Sequence, residues 1–159
     1  MISIGFSTSN HLLSKAIRKL TASRVSHAFL IFDDTALGGR LIAEASLGGF
    51  RLVTAEHFAR DNVIVQEIAP QIPLERGLHD AYDWLGVKRY NYLGLLGNLL
   101  VLLGRRLRRS WHNPFHGHKS LFCSEAIVRI LQESKYPGSD QLIPWDTTPQ
   151  DLLEFLKRP

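Results

Sequence analysis

Apolar and polar positions change period several times along the chain, and each change marks an element. Ile2 to Phe6 reads as a short strand. Leu12, Leu13, Ala16, Ile17 and Leu20 then recur at helical spacing, with Lys15, Arg18 and Lys19 between them. This predicts a helix capped by Ser9 or Asn10, with those apolar residues turned inward. Val25 to Phe32 is the clearest strand pattern, and alternation puts His27, Phe29 and Ile31 on one face and Ala28, Leu30 and Phe32 on the other. A turn-like stretch ending in Gly38-Gly39 leads to a second strand at Leu41 to Ala45. Phe50 to Val53 and Val63 to Ile68 are further strands, with a short helical turn between them at Ala55 to Arg60. An antiparallel meander is expected.

The second half reads as mainly helical. Pro73 to Leu85 predicts a helix with Leu74, Leu78, Ala81, Tyr82 and Leu85 inward. Tyr90-Asn91-Tyr92 leads into an apolar run from Leu93 to Gly104, shorter than the roughly 20 residues that span a bilayer. A buried helix is the favoured reading of that run. Pro114 and Gly117 break the period between Ser110 and Lys119, giving a loop. After Leu121-Phe122, Ile127, Ile130 and Leu131 resume helical spacing until Tyr136-Pro137-Gly138. Near the end, Thr148 as N-cap, Pro149 as first helical residue and Asp151 as its capping-box partner predict a last helix over Leu152 to Leu156. Without internal repeat or linker, residues 1–159 read as one domain.

Composition narrows the classes. The 159 residues are 45% hydrophobic and 21% charged, as in a folded domain with a substantial core. A basic region followed by a long apolar run is missing from the amino terminus, so a cytoplasmic location is expected, with peripheral membrane association as an option. The net charge of +4 is concentrated in Arg105, Arg106, Arg108 and Arg109. Such a run suits an anionic membrane surface when it follows an apolar segment, and equally suits a solvated face. With no aromatic-interleaved basic patch, nucleic acid is not an expected partner.

The chain holds one cysteine, Cys123, which excludes an internal disulfide. It stands where the apolar pair gives way to the helical pattern, and Ser124 and Glu125 suit a first helical turn. A helix N-terminus lowers a thiol's pKa, and the thiolate is the reactive form. The alternative is an inert packed cysteine. A thiol nucleophile needs a base, and the base a third group to orient it. His27, a polar ring heading a buried strand, is the base candidate. If the turn pairs Phe29 with Glu44, that carboxylate lies one diagonal step from His27 on the same face; a one-residue slip would defeat the arrangement. His112, His116 and His118 near Cys123 offer a rival, either as zinc ligands or as an alternative base, though their spacing fits no closed zinc motif.

Ser26-His27-Ala28 opening a strand, Glu44 in the next strand, the segment Tyr90-Asn91-Tyr92, and Phe122-Cys123-Ser124-Glu125 opening a late helix together resemble the YiiX-like members of the permuted papain-like (NlpC-type) superfamily. In papain the cysteine precedes the histidine; in the permuted group the histidine comes first, as here. The resemblance implies an α+β, papain-like fold in circularly permuted order, with an antiparallel sheet packed against helices. It also implies Cys123 as nucleophile, His27 as base and Glu44 as orienting residue, with no metal or organic cofactor. Tyr90 and Tyr92 are candidates to line the substrate pocket. The Gly-Asp-hydrophobic opening common in the family is replaced by Ile4-Gly5-Phe6, and the segment from Gly94 to Lys119 looks like an addition.

Three functions follow as expectations. The first is a cysteine hydrolase, amidase- or peptidase-like, acting on an amide bond of a peptide or similar substrate. The second keeps the triad but makes the substrate a lipid, as in the lecithin-retinol acyltransferase-like branch. The third is a non-catalytic binding or structural module in which Cys123 packs.

Overall fold

The computed structural model describes residues 1–34, 36, 38–46, 49–86, 89–90, 97, 103–104, 111 and 120–158. Strands β1 (Ile2–Ser9), β2 (His27–Asp34), β3 (Gly39–Ser46), β4 (Gly49–Thr54) and β5 (Asn62–Ile68) form an antiparallel sheet in the order β4-β3-β2-β1-β5. Helices α1 (Leu12–Thr21), α2 (Ala55–Ala59), α3 (Glu75–Tyr82), α4 (Cys123–Glu133) and α5 (Pro149–Leu156) complete an α+β architecture. The first four strands make the expected meander. β5 does not extend it but returns to pair with β1. The crossing is made by α2, which Thr54 opens by accepting the His57 N–H at 3.2 Å. Its buried Phe58 packs with Phe29, Ile31 and Ile42, and α2 touches both edge strands, β4 and β5.

The other face of the sheet carries the main core. Ile4, Phe6, Ala28, Leu30, Ala43 and Ala45 meet Ile127, Ile130 and Leu131 of α4 and Leu152, Leu153 and Leu156 of α5. Burying each such large side chain contributes about 1.5–3 kcal/mol relative to exposure. β2 therefore alternates as its sequence requires, with Ala28 and Leu30 toward α4 and Phe29 and Ile31 toward α2. Helices α3 and α4 approach so closely at Gly77 that a Cβ there would run into the Ile130 carbonyl oxygen. The Gly77 N–H instead donates to the Ser134 hydroxyl at 3.0 Å, which donates to the Leu74 carbonyl at 3.2 Å. A two-residue parallel pairing of β6 (Arg89–Tyr90) with β7 (Ser120–Leu121) leads directly into α4.

Two helices differ from their periodicity. In α1 the N-cap is His11, without a side-chain cap bond, and Leu12 is 86% exposed. Ser14 takes the inward place because its hydroxyl has partners there: the Ser26 hydroxyl at 2.6 Å and the Ser9 N–H at 3.1 Å. Ser14 and Ile17 are buried, and Leu13 remains exposed. In α3, Tyr82 lies outside at 74% exposure while Ala81 faces the core. The final helix is as its residues predict: the Thr148 hydroxyl accepts the Asp151 N–H at 3.1 Å, and the Asp151 carboxylate accepts the Thr148 N–H at 3.0 Å. Among the described residues, no helix is long and apolar enough to cross a membrane. Most of the Leu93–Gly104 run lies outside the described residues, as do Arg105, Arg106, Arg108 and Arg109.

Candidate active site

The site forms where β2 begins, because three elements end or start there. His27 is the first residue of β2 and pairs across the sheet with Ser7. Its ring stacks over Phe29, with centroids 5.8 Å apart, and beside Phe58 at 6.2 Å. Gly5, the cross-strand partner of Phe29, makes room for this stack, since a Cβ at Gly5 would strike the Phe29 ring. The Ile4-Gly5-Phe6 opening thus fits the aromatic floor under His27.

β3 pairs with β2 through Leu30↔Ala43 and Ile31↔Ile42, a register that continues to Phe29 opposite Glu44. Glu44 consequently lies on the His27 face, and its Oε2 sits 2.7 Å from His27 Nε2. Glu44 is only 3% exposed. Its second oxygen, Oε1, accepts two hydrogen bonds from Arg51, from Nε at 2.9 Å and Nη2 at 2.6 Å. Arg51 stands directly opposite Glu44 in the β3–β4 hairpin. Burial alone would raise the Glu44 carboxyl, but the hydrogen bond and charge of His27, then those of Arg51, hold it below its ordinary range.

Helix α4 supplies the thiol. Phe122 occupies its N-cap without a side-chain cap bond, and Cys123 is the first helical residue. The first intrahelical bond runs from the Ala126 N–H to the Phe122 carbonyl at 3.0 Å, so the N–H groups ahead of Ala126 are not taken up by the helix itself. The Ser124 hydroxyl donates to the Thr147 carbonyl at 2.7 Å, pinning this turn to the segment before α5. Cys123 is buried and lines a cleft of about 410 Å³ with His27, Glu44, Arg51, Ser26, His11 and others. With His27 Nε2 on Glu44, Nδ1 is the ring nitrogen left for the sulfur.

Electrostatics couple the pair. Burial pushes the Cys123 thiol up, yet the positive ring of His27, their hydrogen bond, and the backbone N–H groups of Ala28 and Ser124 bring it below the ordinary thiol value. Burial likewise pushes His27 down, and the Cys123 thiolate followed by Glu44 overcomes this, raising the ring to about 10. Both shifts run in the sense of a thiolate–imidazolium pair, with a carboxylate behind the ring.

The structure thus brings together Cys123, His27 and Glu44. Tyr90 closes β6 opposite Leu121, but its side chain and all of Tyr92 lie outside the described residues, as do His112, His116 and His118. Among the described residues, no group of three His, Cys, Asp or Glu side chains is arranged to hold a metal. Sequence reasoning missed Arg51 and the buried Ser14–Ser26 pair at the cleft. Arg51 could have been found from the hairpin: Ser46 pairs with Gly49, which sets Glu44 opposite Arg51.

No protein-family model and no curated protein matches the chain.

Proposed function

We propose that the protein is a cysteine hydrolase of the amidase or peptidase type, with a permuted papain-like arrangement of its active site. The observation that carries this reading is the position of His27, hydrogen-bonded to the Glu44 carboxylate and lining one open cleft with the Cys123 thiol, to which it is electrostatically coupled. The order of a histidine strand, a carboxylate strand and a late cysteine helix agrees with it.

In this mechanism the Cys123 thiolate attacks the carbonyl carbon of a scissile amide. The negative charge that develops on the carbonyl oxygen faces the α4 N-terminus, where the Cys123 N–H donates to it. The tetrahedral intermediate collapses as the His27 imidazolium gives its proton to the leaving amine, which departs and leaves a thioester on Cys123. Neutral His27 then takes a proton from water, whose oxygen attacks the thioester carbonyl. Release of the carboxylic acid restores thiolate and imidazolium. Glu44 holds the ring in orientation throughout and stays ionised.

The test uses the chain's sole cysteine. Iodoacetamide should alkylate Cys123 rapidly near pH 6, where an ordinary thiol of pKa about 8.5 is mostly protonated. His27→Ala should slow that alkylation. Equal rates for wild type and His27→Ala, both matching a free thiol, would falsify the dyad.

A second reading makes the substrate a lipid ester or amide. The exposed Leu12 and Leu13 favour it, because Leu13 lines the cleft and Lys15 and Lys19 are exposed on the same helix. Co-sedimentation with anionic vesicles separates the two: the lipid reading requires binding that weakens in Leu12→Glu and on neutralising Arg105, Arg106, Arg108 and Arg109.

A further inference from the structure

We infer that Arg51 is a positioning residue of the site: by clamping one oxygen of Glu44, it keeps that carboxylate ionised and aimed at His27, and so sets the lower pH limit of Cys123 reactivity. The inference rests on the dyad reading above and extends it to a fourth side chain.

The geometry is specific. Arg51 places both Nε and Nη2 on the single oxygen Oε1, at 2.9 and 2.6 Å, while Oε2 is left for His27 Nε2 at 2.7 Å. Each oxygen has its own partner, so the carboxylate plane is fixed and cannot turn to present the other oxygen to the ring. The strand register makes the clamp obligatory rather than incidental, because Glu44 and Arg51 are direct cross-strand partners and share a face. Arg51 is also half-exposed and lines the cleft, whereas Glu44 is almost wholly covered. A covered carboxylate tends to take up a proton, since burial penalises its charge. A guanidinium stays charged at every working pH and prevents this.

The other charged groups do not substitute for it. Glu44 meets His27 from β2 and Arg51 from β4, and Cys123 reaches it only through His27. Across the cleft stand His11, before α1, and Asp61, before β5. Helix α2 packs against β3 and β4, but its Glu56 and His57 are exposed and do not line the cleft. Arg51 is thus the permanent cation on Glu44. If it is removed, Glu44 protonates at higher pH, the imidazolium loses its anion, and the thiolate–imidazolium pair gives way to the neutral pair earlier on acidification.

The experiment is the iodoacetamide alkylation rate of Cys123 from pH 5 to 9 in wild type, Arg51→Met, Arg51→Gln, Arg51→Lys and His27→Ala, each checked for folding by circular dichroism. Arg51→Met and Arg51→Gln should lose roughly 3–10-fold in rate at pH 6, the effect of an acid limb moved by up to one unit. Both should return to the wild-type rate near pH 9, where the thiolate forms regardless. Arg51→Lys keeps the charge and should recover most of the loss. Wild-type profiles in folded Arg51→Met and Arg51→Gln overturn the inference, and so does a loss that is uniform with pH or not recovered by lysine. His27→Ala separates the two levels. If it lowers the rate at pH 6 while the Arg51 variants do not, only the role of Arg51 fails; if it changes nothing, the dyad itself fails.

Discussion

Among the described residues, two buried carboxylates are held by arginine in nearly the same way, and one of them, Glu44, also meets a histidine. On the β3–β4 hairpin, Arg51 donates Nε and Nη2 to one oxygen of Glu44. On α4, Arg129 donates Nε and Nη2 at 3.1 and 2.8 Å to one oxygen of Glu125, the second residue after Cys123. Both carboxylates are almost fully covered, at 3% and 1% exposure. They differ in setting. Glu44 faces the cleft and shares its other oxygen with His27, whereas Glu125 does not line the cleft, and its arginine lies one helical turn further along the same helix. Burial and an arginine partner thus do not by themselves mark a site. In the proposed reading the mark is the His27 ring set between that carboxylate and the Cys123 thiol.

That contrast orders the expected effects. The largest belongs to the groups that touch the reacting atoms. Cys123→Ala should abolish amide hydrolysis, and His27→Ala should slow alkylation at pH 6 by roughly 10²-fold, the ratio between a thiol ionised in large part and an ordinary one. The two alkylation rates should converge near pH 9. Next comes the orienting carboxylate. Glu44→Gln preserves shape and removes charge, and should cost roughly 10–10²-fold in kcat with little change in KM, because it acts on the ring and not on substrate. A Glu125→Gln variant with an equal loss in kcat would break the comparison outright.

The pH profile sharpens it from the other side. With His27 raised to about 10 and Cys123 lowered, hydrolysis should run on a broad plateau through neutrality. On the alkaline side it should fall as His27 loses the proton it must give to the leaving amine. Alkylation needs only the thiolate and should persist there. An alkaline limb close to the ordinary histidine value of about 6.5 would rule out the ion pair.

Much of this arrangement is legible in the amino-acid sequence itself. The alternation of β2 placed His27 with Phe29 and Ile31, and the Phe29–Glu44 register was a consequence of one turn. The Thr148, Pro149 and Asp151 cap was legible because capping is local chemistry. Periodicity misled where a polar group had a hidden partner. Leu12 and Leu13 match a helical stripe better than Ser14 does, yet Ser14 bonds Ser26 and Ser9 and takes the inward position. The return of β5 to β1 was equally hidden, since it depends on Phe58 of a five-residue helix finding a place on the far face of the sheet. Arg51 needed the β3–β4 register residue by residue, which no single-strand pattern supplies.

The smallest effects lie in stability, where the two carboxylates should part again. Glu44 is held below the ordinary carboxylate value, so its contribution is complete above pH ~4.3 and is lost as pH falls through the folded value. His27 has the opposite sign. Its pKa is raised to about 10, so its contribution is complete below the unfolded value of about 6.5 and drains away as pH rises through 10. Cys123, lowered from the ordinary thiol value, has the sign of Glu44 and offsets His27 until pH reaches about 8.5, so stability should be bounded by Glu44 on the acid side and decline only from about pH 8.5 upward as His27 releases its proton. Glu125→Gln should lower stability by about 1–2 kcal/mol, the scale of a charged hydrogen bond whose partner is partly solvated. It should leave the pH dependence of Cys123 alkylation unchanged. Urea unfolding of Glu44→Gln and Glu125→Gln at pH 7 and pH 4, run beside the alkylation profiles, checks both halves. Glu44→Gln should move reactivity and stability together, and Glu125→Gln stability alone, because only the first carboxylate touches the ring that the thiol depends on.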